Sequence, residues 1–217
     1  MSIVIRTLSE RVFEIVREQI VTGQLPEDLP IRQDALASDL GVSKIPLREA
    51  LARLEQEGLL TSMANRGYFV RGMSAAEADD IYALRLSIEP DAAAYAATVA
   101  SDEHRRIALA AFEALDRAAN DQLGDVAMRN RDFHTAMVRP GGRLLTTQMV
   151  ERLSILAERY VVAHLKPAGR NARAHVEHRK LIDAWMARDA GQLATLLAEH
   201  IRGTLYDLRA QFGVAAG

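Results

Sequence analysis

Residues 43–60 read SKIPLREALARLEQEGLL, and the reading of this stretch decides the fold. Ser43 is an N-cap candidate, Leu47, Leu51 and Leu54 share one helical face, and Gly58 is a stop signal. Pro46 falls in the first turn, where its missing N–H has no intrahelical partner to lose, so it marks the start of the helix. On the side away from the leucines, Lys44 and Arg48 lie four residues apart and project together near the N-terminal end. Long cations there, with the helix N-terminus and the Ser43 hydroxyl as further donors, suit phosphates or guanine edges in a major groove. The plainer alternative is a solvated face, with Lys44, Arg48 and Arg53 paired to Glu49, Glu55 or Glu57.

Upstream, Thr7 and Glu10 form a capping-box pattern ahead of a helix carrying Val12, Ile15, Val16, Gln19 and Ile20, closed by Gly23 and Pro26. A second short helix is expected at about 33–40, with Leu36 and Leu40 on one face and Gly41 at its end. Only GVS separates it from the third helix. Downstream, LLTSM and GYFVR read as two short strands joined by ANRG, which puts Asn65, Arg66 and Gly67 at a hairpin tip suited to the minor groove or the backbone. Three helices and a hairpin describe a winged helix-turn-helix over residues 1–72.

The texture changes at Ser74, which with Glu77 makes another capping-box pattern. From there the chain is rich in alanine and leucine at helical period, with breaks near Ser101, Leu123–Gly124, Pro140–Gly142, Pro167–Gly169 and Gly191. Residues 74–217 are therefore expected to form an all-α bundle of about six helices, and the chain as a whole is mainly α.

The totals set bounds. The 217 residues are 49% hydrophobic and 26% charged, with a net charge of −2 and no cysteine. Disulfides and thiolate metal sites are excluded. No apolar run approaches the roughly 18 residues that span a bilayer, and the N-terminus lacks a signal-peptide pattern, so a cytoplasmic protein is expected with no membrane partner. Residues 1–73 hold nine Lys/Arg against ten Asp/Glu. A nucleic-acid footprint must then come from local arrangement and not from bulk basicity.

Five of the six histidines lie between residues 130 and 200, and three of them fall in a suggestive pattern with Asn130. In NRDFH, Asn130 and His134 are four apart on one helix face; His178 opens HRKLIDAW and His200 lies in LLAEHI. Three imidazoles and one side-chain oxygen on three helices could converge inside a bundle on a divalent transition metal. The residue types admit zinc, nickel, cobalt, iron or copper. Single histidines on half-apolar faces more often make one hydrogen bond in a core. His104, His164 and His175 are read that way, with His175 the substitute ligand. A metal-dependent hydrolase would use similar ligands but needs a general base beside the metal-bound water, and no HExxH-like carboxylate accompanies these histidines.

GQLP…ALASDLGVSKIPLREALARLEQEGLL…NRGYFV resembles the N-terminal domain of GntR-type transcription regulators over residues 8–71. Residues 77–210 resemble the helical FCD ligand-binding domain, through IYALRLSIEPDAAAYAA, the FH pair at 133–134 and HRKLIDAWMARDAGQLATLLAEHI. The resemblance implies a transcription regulator and not an enzyme, a homodimer on a double-stranded DNA operator, and a small carboxylate effector. Lys44 and Arg48 would contact bases or phosphates, and Gly67 would let the wing approach DNA. The implied metal ligands are Asn130, His134, His178 and His200, with zinc or nickel first among candidates. Asn130 stands where the family has aspartate. Arg85 would pair with the effector carboxylate or, within its helix, with Glu89. PEDLPIRQ also departs from the family pattern and offers Arg32 as an extra phosphate contact. The remaining alternative is a DNA-binding protein whose second half only dimerises.

Overall fold

Thr7 opens the first helix by the reciprocal bonding that its sequence predicts. Its hydroxyl accepts from the Glu10 N–H at 3.2 Å, and the Glu10 carboxylate accepts from the Thr7 N–H at 2.7 Å. The computed structural model describes residues 7–27, 29–121, 123–167 and 169–213. These fall into two compact units, divided between Gly72 and Met73.

In the first unit, α1 spans Leu8–Val21, α2 Gln33–Asp39 and α3 Lys44–Gln56. The stripe of α1 is Val12, Val16 and Ile20, extended by Phe13; Ile15, expected on it, is 41% exposed because the stripe leans to the Phe13 side. Both α2 and α3 end in the same left-handed glycine turn. Gly41 (φ +64) and Gly58 (φ +77) bond back to Ser38 and Glu55, and the next N–H groups, of Val42 and Leu59, reach Ala37 and Leu54. These stops fix the short turn between α2 and α3 and the exit toward the hairpin. Pro46 sits within the first turn of α3. Ser43 is the N-cap by backbone conformation, but its hydroxyl makes no capping bond.

Leu47, Leu51 and Leu54 are fully buried against Val16 and Ile20 of α1 and Leu36 of α2. Strands β1 (Leu60–Met63) and β2 (Gly67–Val70) pair antiparallel, with Leu60 opposite Val70 and Met63 opposite Gly67. The segment before α2 adds to the edge of β2: Ile31 N–H donates to the Tyr68 carbonyl at 2.8 Å, and Pro30 and Glu27 bridge to Phe69 and Val70. Glu27, Pro30 and Ile31 are therefore tied to β2 and do not belong to a free loop. Residue 28 lies outside the described residues, as do 1–6 and 214–217 of the expected domains.

The second unit holds α4 (Ala75–Val99), α5 (Asp102–Asp121), α6 (Leu123–Val138), a 3₁₀ turn (Arg139–Gly141), α7 (Leu144–Leu165), α8 (Arg170–Met186) and α9 (Ala190–Gln211). The expected breaks correspond to these ends; residues 122 and 168, at two of them, lie outside the described residues. Helix α4 packs against α6, α7, α8 and α9. Ala92, Ala93, Ala96 and Ala97 are buried along it, and small side chains allow that close approach from several sides. Only half of the expected capping box forms at its start. The Ser74 hydroxyl accepts from Glu77 N–H, but the Glu77 carboxylate accepts from Tyr160 Oη at 2.7 Å and leaves the Ser74 N–H to that same tyrosine. Pro90 lies inside α4 and removes the bond that the Leu86 carbonyl would otherwise accept.

Since Leu51 has no exposed surface and belongs to the apolar core of this unit, Leu51→Ala should destabilise the first unit by about 2–5 kcal/mol. Urea unfolding followed by circular dichroism checks this; a loss below about 1 kcal/mol would contradict the packing described.

Candidate functional site

Two groups of side chains, one in each unit, have the chemistry of a site. In the first, Lys44 and Arg48 are exposed at the start of α3, facing α2. Lys44 Nζ pairs with Asp34 at 2.5 Å, and Arg48 Nε donates to Gln33 Oε1 at 3.3 Å. With Arg32 they line one open groove. Arg53 belongs elsewhere: its guanidinium lies 3.9 Å from the Phe13 ring centroid and 3.8 Å from Glu57, so for this residue the solvated-face alternative describes the structure. At the hairpin tip, Asn65 (φ +61) turns the chain and Arg66 N–H closes the turn onto Met63. The Arg66 guanidinium lies 5.5 Å from the Phe69 ring, and Gly67 adopts φ +84, which a side chain would strain.

The second group lies inside the helical unit. His134 on α6, His178 on α8 and His200 on α9 each bring one ring nitrogen within 4.8 Å of the others. The closest pair of rings, His178 and His200, has centroids 4.7 Å apart. Glu89 on α4 takes His134 Nδ1 at 3.1 Å, and Glu177 on α8 takes His200 Nδ1 at 2.7 Å. A carboxylate on Nδ1 fixes the tautomer and aims the Nε2 lone pair away from it. His134 Nε2 and His178 Nε2 are buried and have no hydrogen-bond partner. Burial disfavours protonation of both rings. His134 falls to about 4, desolvation outweighing the Glu89 carboxylate that favours its charge, and His178 falls well below its ordinary value through burial and its neighbouring histidines. Neutral, oriented and unpartnered imidazoles are what a metal ion requires.

Glu89 is itself completely buried. Burial alone would raise its pKa, but Arg85, bonded to both its oxygens at 2.6 and 3.2 Å, and then His134 hold it at about 2. Arg85 thus forms the intrahelical pair. It still borders the same cavity as Asn130, His178 and His200, but an effector carboxylate would have to compete with a buried bidentate partner. Asn130 is 7% exposed, one turn before His134. Asp132 is turned away, near Arg129 and Arg131. His104 caps α5 through Ser101, and His175 pairs with Asp116 and is half-exposed. His164 lines the cavity without belonging to the three-histidine group. Phe112, Leu115, Val126, Val161 and Leu165 supply apolar walls. The open space is about 30 Å³, where one water needs roughly 10–15 Å³ on the same measure.

The sequence model described as "Bacterial regulatory proteins, gntR family" matches residues 8–70, and that of the FCD domain matches residues 80–203. The chain belongs to the GntR family. This GntR-family chain is 32% identical to the HTH-type transcriptional regulator BphR of Paraburkholderia xenovorans, over 97% of this chain and 88% of that protein. It is 31% identical to the HTH-type transcriptional repressor GlaR of Escherichia coli, over 86% of this chain and 89% of that protein. Of solved structures, E. coli McbR/YncC has the same fold, with a TM-score of 0.76 over 96% of this chain and 100% of that chain at 22% identity. GntR-family proteins are DNA-binding transcription regulators and not enzymes. Among the described residues, no helix is long and apolar enough to cross a membrane.

The buried imidazoles and Glu89 make stability depend on pH. Folded His134 and His178 resist a proton that the unfolded chain accepts below about 6.5, so the unfolded state gains protons as pH falls toward 4. Glu89 adds to the loss from about 4.5 down toward 2, since its folded pKa is the lower one. Metal-free protein should thus lose stability steadily from pH 7 to pH 4. His134 alone would contribute on the order of 3 kcal/mol across that window. Urea midpoints measured at pH 7.5 and pH 5 in the presence of a chelator check it, and an unchanged midpoint would contradict the buried neutral histidines.

Proposed function

We propose that this protein is a homodimeric, ligand-responsive operator-binding regulator in which a divalent metal and a small carboxylate occupy the cavity bordered by Asn130, His178 and His200, beside His134. The observation that supports it most is the pair of buried, unpartnered Nε2 atoms, in a cluster where His134 and His200 are each oriented by a carboxylate. A bundle serving only to dimerise gives no reason to bury two imidazole acceptors without partners. A hydrolytic role lacks a base: Glu89 and Glu177, the carboxylates bonded to these rings, are both engaged on Nδ1 atoms.

In this reading residues 1–72 are the DNA reader and 74–217 the sensing and dimerising domain. Lys44 and Arg48 reach base edges or phosphates from the N-terminal end of α3, and the Ser43 hydroxyl, free of capping, donates to a phosphate. Asn65, Arg66 and Gly67 carry the backbone across the groove at the wing. A dimer presents two such faces to inverted half-sites. A divalent ion bound by His134, His178, His200 and Asn130, zinc or nickel foremost, would supply a Lewis-acidic point to which a carboxylate can add. The four ligands come from α6, α8 and α9, and Glu89 ties α4 to them, so occupancy of the cavity biases how these helices pack. The response on DNA is limited to the effector's difference in affinity between the two arrangements.

Arg48→Ala and Lys44→Ala should weaken operator binding without unfolding the protein, because both are exposed. A lost base contact costs about 1–3 kcal/mol at one operator position, whereas a lost phosphate contact lowers the salt slope by about one. Fluorescence anisotropy across a salt series separates the two, and wild-type affinity in both variants would overturn the assignment. His178→Ala should abolish bound metal by elemental analysis and make operator affinity insensitive to small carboxylates, with basal DNA binding retained. A variant that still responds to an acid without metal would end the mechanism.

A further inference from the structure

The proposed ligand set contains no negative charge. An imidazole that binds a metal does so as a neutral ring, and the Asn130 amide is neutral at any pH. The neighbouring carboxylates already have partners of their own. Glu89 lies against Arg85 and His134; Glu177 against His200 and, at 3.3 Å, Arg173. Asp207 pairs with both Arg170 and Arg173, and Asp116 with His175. A divalent ion entering this cavity would therefore keep its full charge among the apolar walls of Phe112, Leu115, Val161 and Leu165. An uncompensated charge in such surroundings is strongly disfavoured.

Resting on the metal reading proposed above, we infer that a carboxylate anion is a structural component of this metal site, so that metal and acid bind as a pair, and that Asn130 sets the strength of their coupling. The Asn130 oxygen can coordinate, but it leaves to the incoming acid the charge that a carboxylate at this position would provide. By linkage, the factor by which the acid tightens metal binding equals the factor by which metal tightens acid binding. The apolar walls of the cavity favour an acid with a small hydrocarbon body over a polyanion. The sensor then registers the two ligands together and is loaded poorly by either alone.

The test uses the full-length protein stripped of metal and titrated with zinc against a chelating dye, in chloride and in acetate at equal ionic strength. A pH of 6.5 keeps most zinc-bound water, which ionises near about 7, from supplying the anion itself. Acetate should tighten zinc binding by about tenfold or more in the wild type. Asn130→Asp should bind zinc more tightly in chloride and show a coupling of less than about threefold. Acetate binding measured by calorimetry with and without zinc should return the same factor in the wild type, which keeps the inference testable if the variant does not fold. Zinc bound equally well with and without acetate, and lost in His178→Ala, would overturn the coupling and leave the metal reading standing. No zinc binding in either salt would overturn the metal reading and the coupling with it.

Discussion

Glu89 is completely buried, and its negative charge is tenable there only because Arg85, one turn earlier on α4, meets both of its oxygens. Desolvating two charges is expensive, and in water-poor surroundings the attraction between them must offset that cost. The pair has a further consequence. With Arg85 holding it ionised, Glu89 can take a proton-bearing Nδ1 from His134, and that fixes which nitrogen of the ring remains bare. The order of dependence runs from a salt bridge within one helix, to the tautomer of a ring on another, to a cluster of lone pairs in a cavity. Removing either charge would leave its partner buried and unpaired, which costs about 3–5 kcal/mol in comparable sites.

The first unit was legible in the sequence because its signals are local. The Thr7 box, Gly41, Pro46 and Gly58 each act within a few residues of themselves, and local rules place them. The leucine stripe of α3 followed from period alone. The bond from Ile31 to the hairpin was not legible, because its partner Tyr68 lies more than thirty residues away and no alternation marks the segment. Ile15 was misplaced for a related reason: one helix's periodicity does not say which of two adjacent apolar edges the rest of the protein will cover.

In the second unit, helix breaks were readable from Gly, Pro and Ser, whereas the relation among the helices was not. The three histidines, single residues on three helices, could be grouped by residue type and spacing, and resemblance strengthened the grouping, but their meeting is a tertiary fact. Glu89 and Glu177, the carboxylates that orient two of the rings, carried no separate signal. An acid at helical spacing from an arginine, as in RLSIE, reads as an ordinary surface pair. Here the pair is buried, and burial, not spacing, changes its role. Likewise Glu77 fitted a capping box by sequence, but Tyr160, eighty-three residues on, took its carboxylate.

Within the proposed reading, in which Lys44 and Arg48 meet DNA, the contact between Lys44 and Asp34 bears on how such a protein searches a chromosome. Lys44 already has an anion beside it, so exchanging that carboxylate for an arbitrary phosphate gains little net attraction. Arg48, resting on the neutral Gln33 amide, is restrained in the same direction but less. Together with a first unit holding ten acids against nine bases, this would lower the time spent on each random stretch of duplex, where charge is the main attraction. A site offering base edges and the right groove shape then gains relative to the millions that offer phosphate alone. Selectivity, in this arrangement, comes partly from weakness: the reader is kept from sticking where it has nothing to read.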